Sequence, residues 1–183
     1  MTDLSALVAM RLTHDLAGPL GAVATGIDLM EDGDAELRAL VADGASAAVA
    51  SLRLHRFILA PSEDGGSAQG LLAAWLATRD GVMLDWRTPP TRPSLVVGLA
   101  MTAAEAARRG GLLTVDGDTV AFAPAPTLDA TVAAALAGGE VTVARAALAG
   151  ILHAAALAAG GTIAVSRDGE TLRLTYHGSA LPR

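Results

Sequence analysis

His14 is followed directly by Asp15 and preceded three residues earlier by Arg11, so a nucleophile, a carboxylate and a cation fall within one helical turn. Histidine ordinarily titrates near ~6.5, so its ring is mostly neutral and nucleophilic around pH 7. A ring nitrogen of that kind can attack phosphorus in line and hold a phosphoryl group on a labile P–N bond. A neighbouring carboxylate that accepts from one ring nitrogen leaves the other with its lone pair and stabilises the charged ring. Arg11, on the same side one turn earlier, is placed to meet phosphoryl oxygens. The residues that follow on this side, Ala17, Gly18, Gly21 and Thr25, are all small. A glycine inside a helix costs roughly 1 kcal/mol against alanine. Gly18 and Gly21 with Pro19 between them therefore need a reason, and close approach of another protein is one.

These residues lie in a segment that reads as one long helix. Leu4, Val8, Leu12, Leu16, Leu20, Val23, Ile27 and Met30 recur at spacings of three and four, which sets one apolar stripe. His14 sits about 200° around the helix from Leu12 and from Leu16, away from that stripe. Thr2 and Asp3 are candidate caps, and Glu31-Asp32-Gly33-Asp34 breaks the helix. A second helix is expected from Ala35 to Leu59, with a stripe of Leu37, Val41, Ala45, Ala48, Leu52 and Leu59, stopped by Pro61. Two long amphipathic helices joined by a short turn form an antiparallel hairpin. Such a hairpin cannot cover its own apolar faces. Pairing two of them into a four-helix bundle does so, and a homodimer is expected.

Ser62-Glu63-Asp64-Gly65-Gly66-Ser67 reads as a linker, which divides the chain at 1–62 and 67–183. Beyond it, helices are expected over Ala68 to Ala77, Ser94 to Arg109, Leu128 to Leu136 and Val143 to Ala159. Gly110-Gly111, Gly138-Gly139 and Gly160-Gly161 read as helix ends or turns. Val82 to Arg87 reads as a strand ahead of Pro89, Pro90 and Pro93. Leu112 to Val115 and Thr119 to Ala123 flank Asp116-Gly117-Asp118, a hairpin signal. Thr162 to Ser166 and Thr171 to Tyr176 flank Arg167-Asp168-Gly169-Glu170, a second one. The order predicts an α+β protein: the helical hairpin, then a small sandwich of one sheet with helices on one side.

Composition narrows the function classes. The 183 residues are 52% hydrophobic but only 3% aromatic, an Ala- and Leu-rich balance that favours helices. All 13 basic residues are arginine, and the formal net charge is −6. No basic patch stands out to track a phosphate backbone, so nucleic acid is not an expected partner. Cysteine is absent, which excludes disulfides and thiolate metal sites. Neither a leader-like opening nor an uncharged span of ~20 residues is present, so a cytoplasmic protein with no membrane partner is expected. The four histidines, His14, His55, His153 and His177, are too scattered for metal-ligand spacing. His55, between Arg53 and Arg56, reads first as an exposed helix end and second as part of a docking face. His153 reads as structural and His177 as solvated. With no lysine, no glycine pair makes a phosphate-binding loop, and Ser5, Ser46 and Ser51 lack a nucleophile-elbow context.

The run Arg11-Leu12-Thr13-His14-Asp15-Leu16-Ala17-Gly18-Pro19-Leu20 resembles the H-box of sensor histidine kinases: a histidine, an acidic residue, then Pro-Leu five and six positions on. Taken with Gly26, Leu29-Met30 and the second-helix end Arg53-Leu54-His55-Arg56-Phe57, it is similar to the ChpT-type histidine phosphotransferase family. That resemblance covers the hairpin, about a third of the chain. It implies a dimer with a kinase-like hairpin and a degenerate ATP-binding-like domain. It also implies phosphate flow from the receiver Asp of a hybrid histidine kinase to response regulators. His14 would be the phosphoacceptor and Asp15 its acidic partner. The expected docking surface is Arg11, Ala17, Gly18 and Gly21 with Arg56 from the second helix. No cofactor is expected; the partner receiver would supply Mg²⁺.

Departures from the kinase pattern argue against ATP use. The chain contains no Asn, the residue kinases of this fold use to hold Mg²⁺ and nucleotide. The equivalent helix would be Ser94 to Arg109, which offers Glu105 but no amide partner, and no Asp-x-Gly-x-Gly string occurs. Gly18 replaces the Thr or Asn that bifunctional kinases use for phosphatase action. Two alternatives remain: a non-catalytic dimeric module that binds receiver or kinase partners, and an ATP-dependent histidine kinase.

Overall fold

Two long helices lead the chain and a five-stranded sheet with four further helices follows, in a computed structural model that describes residues 3–30, 34–60 and 67–178. Thr2, the break at Glu31 to Gly33, the stop at Pro61 and the linker from Ser62 to Gly66 lie outside the described residues.

Helix α1 runs Leu4–Leu29 and α2 runs Ala35–Leu59. Asp3 caps the first by accepting from Ser5 N at 2.9 Å. Asp34 caps the second by accepting from Leu37 N at 2.9 Å. Glycine lets the two helices approach closely. A Cβ on Gly26 would lie 2.5 Å from Val41 Cγ2, and one on Gly44 would lie 2.9 Å from the Pro19 carbonyl oxygen. Pro19 has no N–H, so the Asp15 carbonyl one turn earlier receives no helical hydrogen bond.

The apolar stripes differ from the sequence expectation. Leu20 and Ile27 of α1 are exposed, as is Leu52 of α2, whereas Leu7 is buried. The buried face of α2 is instead Gly44, Ser51, Leu54, His55 and Ile58. The reason is tertiary. The second half of α2 packs on the C-terminal region, and Leu54 and Ile58 belong to the same core as the sheet.

That core is organised by α4, Pro93–Ala106, in which every residue from Leu95 to Ala104 is buried. A Cβ on Gly98 would meet Leu152 and Ile58, so α4 sits tightly between α6, Ala147–Ala158, and the end of α2. The remaining helices are α3, Ala68–Leu76, and α5, Ala130–Leu136, with a 3₁₀ turn at Ala144–Ala146 ahead of α6. Helix α4 stops three residues short of the expected Arg109, because Gly111 already pairs in the sheet.

Strands β1 Val82–Thr88, β2 Gly111–Asp116, β3 Thr119–Ala123, β4 Gly161–Asp168 and β5 Thr171–Gly178 form one sheet in the order β1-β2-β3-β5-β4. β1 and β2 are parallel; every other pair is antiparallel. Gly117 at φ 56° and Gly169 at φ 54° supply the left-handed backbone that the two hairpin turns require. Leu113, Val115, Val120, Phe122, Leu172 and Leu174 face the helices and are buried. Thr114, Ala121 and Arg173 line the opposite, open face. The expected α+β architecture, with helices on one side of a small mixed sheet, is the one observed.

Candidate functional site

The middle of α1 brings His14 to the surface beside a cluster of charges that the chain folds inward. The His14 side chain is 87% exposed, and its Nδ1 lies 3.3 Å from Asp15 Oδ1. With the ring proton on Nδ1, His14 donates to Asp15 and Nε2 keeps its lone pair. Ala17, Gly18 and Gly21 are exposed on α1, and beyond the adjoining helix backbone and chain neighbours no atom lies within 4 Å of where a Cβ on Gly18 or Gly21 would stand. Arg56 is exposed in the last turn of α2.

Arg11 departs from its expected place. Its side chain is only 16% exposed and does not stand open to meet phosphoryl oxygens. Its Nε donates to Asp15 Oδ2 at 2.7 Å, and its Nη2 donates to Glu105 Oε1 near the end of α4. Glu105 lies 94 residues away in sequence, so this pair ties the hairpin to the C-terminal region. Opposite-charge neighbours outweigh the effect of burial and raise the Arg11 pKa, so the guanidinium stays charged.

His55 is the second correction. It is buried rather than an exposed helix end. Its Nδ1 donates to the Ser51 carbonyl oxygen at 2.9 Å, and its Nε2 faces Asp15 Oδ2 at 3.4 Å. Among the described residues His55 Nε2 has no hydrogen-bond partner, so that second approach is close without being a hydrogen bond. Burial pushes the Asp15 carboxyl up, but His55, Arg11 and His14 together outweigh it and hold the pKa at about 2 against an ordinary 3.8. Asp15 is therefore a fixed carboxylate throughout the neutral range, with one oxygen toward His14 and the other toward Arg11 and His55.

Residues His14, Asp15, Gly18, Trp75, Arg79 and Glu105 line one open cleft of about 360 Å³. Arg79, just past α3, lays its guanidinium over the Trp75 ring at 4.0 Å. Its Nη2 is 3.7 Å from Glu105 Oε1. Sequence reasoning passed over Arg79, Trp75 and the role of Glu105, since nothing local marks them as neighbours of His14. The buried role of His55 did carry a signal: with Gly44, Ser51 and Ile58 it repeats at helical spacing, though only Ile58 is apolar.

His153 Nδ1 donates to the Leu136 carbonyl oxygen at 3.0 Å, a structural contact between α5 and α6, and His177 is exposed. Among the described residues, no three His, Asp or Glu side chains come together as a metal-ligand group. Among the same residues, no helix is long and apolar enough to cross a membrane.

No family model matches the chain. Protein phosphotransferase ChpT of Brucella abortus (strain 2308) is 30% identical over 126 residues, which are 62% of this chain and 60% of that relative. The match therefore spans less than two thirds of the relative's length. A solved structure described as a bacterial phosphotransferase superposes with a TM-score of 0.79, covering 96% of each chain at 21% identity, which shows a common fold. The Acinetobacter baumannii histidine kinase AdeS covers 92% of this chain and 98% of its own at 13% identity, with a TM-score of 0.47.

Proposed function

We propose that this chain, a relative of the ChpT-type phosphotransferases, is a histidine phosphotransferase of a bacterial phosphorelay. His14 takes a phosphoryl group from the receiver Asp of a hybrid histidine kinase and passes it to response regulators. The observation that carries the reading is the His14 ring itself, 87% exposed and held by Asp15 through Nδ1.

The chemistry follows from that placement. The Nε2 lone pair attacks phosphorus of the aspartyl phosphate in line. The P–O bond breaks, and its electron pair leaves with the receiver carboxylate. The ring becomes a phosphoimidazolium whose Nδ1–H faces the fixed negative charge of Asp15. Transfer to the next receiver reverses the step: its carboxylate attacks phosphorus and the P–N pair returns to His14. The receivers bring the Mg²⁺ that neutralises phosphoryl oxygens. The open face of Ala17, Gly18 and Gly21, with Arg56 nearby, receives the partner. Arg11 serves this face from within, by orienting Asp15.

The hairpin leaves Met10, Leu20, Ile27, Leu29, Leu40, Val49 and Leu52 exposed. This supports a homodimer in which two hairpins make a four-helix bundle. A cytoplasmic location fits partners of the receiver class.

The test is to mix the purified chain with a labelled, phosphorylated receiver domain and follow acid-labile label. Wild type gains it, His14→Ala does not, and ATP alone gives no incorporation. Transfer that persists in His14→Ala would remove the proposal.

A further inference from the structure

The cleft beside His14 has an arginine at its wall that the phosphotransfer reading leaves without a task. We propose that Arg79, lent by the C-terminal region, binds the phosphoryl oxygens while the group is on or arriving at His14. The inference rests on His14 being the phosphoacceptor.

Three observations carry it. First, Arg79 and His14 line the same open cleft, and Arg11 does not line it. Second, Arg11 is spent: its guanidinium bonds Asp15 and Glu105 and is largely covered. Arg79 is only lightly held. Among the described residues its one carboxylate contact is with Glu105 Oε1 at 3.7 Å, an oxygen that Arg11 already occupies, and its side chain is 36% exposed. Stacking on Trp75 fixes the guanidinium plane while leaving N–H edges to donate.

Third, the charge balance favours a cation that stays once the receiver and its Mg²⁺ have left. Asp15 and Glu105 both stand at the cleft, and Arg11 bridges them. A phosphoryl group adds a further −1.5 to −2, roughly, at neutral pH. Within the described residues, no other arginine lines the cleft to offset that charge. An arginine fork suits two phosphoryl oxygens, whereas a lysine offers a point charge.

The experiment uses the full chain and phosphoramidate, a small donor that needs no receiver. The His14 nitrogen attacks its phosphorus and ammonia leaves. The ³¹P spectrum then reports the P–N signal of His14, and the ¹⁵N spectrum reports the arginine Nε–H groups, with Arg79 identified by its loss in Arg79→Lys. The expected result is a shift of the Arg79 Nε–H line on phosphorylation. In parallel, Arg79→Gln should slow transfer from a phosphorylated receiver by about tenfold or more, with Arg79→Lys intermediate. A clear P–N signal with an unmoved Arg79 line overturns the inference and leaves the phosphotransfer reading intact. Absence of any P–N signal from phosphoramidate and receiver alike overturns both.

Discussion

His55 Nε2 stands 3.4 Å from Asp15 Oδ2, so the last turn of α2 reaches the residue next to the exposed His14. The other ring nitrogen of His55 meets the Ser51 carbonyl oxygen at 2.9 Å. The ring is thus anchored through Nδ1, while Nε2 approaches Asp15 without a hydrogen bond. Arg11 completes the clamp from the preceding turn of α1. The consequence is a carboxylate bonded by Arg11 on one oxygen and turned toward His14 with the other.

Truncating His55 removes one side of that clamp and leaves a hole in a buried position. His55→Ala should lower stability by about 1–3 kcal/mol, measured by urea unfolding. It should also slow phosphotransfer, since Asp15 loses its fixed orientation. Unchanged stability would show that the buried contact contributes nothing.

Asp15 predicts a pH dependence of known sign. Its pKa in the folded protein, about 2, lies below the ordinary 3.8, so the stabilisation is complete well above pH 4. It is lost as pH falls from about 4 toward 2, because the unfolded chain takes up the proton first. Asp15→Asn has no such proton to bind. Between pH 6 and pH 3, wild type should therefore lose about 0.5–1 kcal/mol more unfolding free energy than Asp15→Asn, once solvent screening is allowed for. Parallel losses in the two proteins would contradict the network.

The architecture was legible in the sequence to a large extent, and the site in part. The His14-Asp15 string, the long helix around it and its exposed small-residue face follow from local spacing. So do the two hairpins, because Gly117 and Gly169 mark turns that side chains with a Cβ rarely adopt. The buried face of α2 was legible only in its helical spacing, since Gly44, Ser51 and His55 are not apolar; α1 covers Gly44, and the C-terminal region packs on Leu54 and Ile58. Arg11 was misread for a related reason. Its partner Glu105 is on another helix 94 residues on, and no local pattern announces that contact.

Gly18 separates docking from folding. A Cβ there meets nothing within 4 Å, so Gly18→Ala should fold normally and gain about 0.5–1 kcal/mol from helix propensity, read by thermal unfolding. Gly18→Trp should keep the fold but cut receiver-dependent transfer by about tenfold or more, because the bulk occupies the partner's approach. Full transfer by Gly18→Trp would move docking elsewhere.

Leu20 and Ile27 lie seven residues apart on α1, exposed on one face. If they seal the bundle, Ile27→Arg buries an unpaired charge there and should convert a dimer to a monomer in sedimentation. A dimer unaffected by Ile27→Arg would place the interface on another surface.

The most direct measurement is the position of the phosphate itself. After mixing with a phosphorylated receiver at neutral pH, ³¹P spectroscopy with peptide mapping should find a P–N bond on His14, and on no other residue. Phosphate found on His55, on a hydroxyl, or nowhere on the chain would contradict the account.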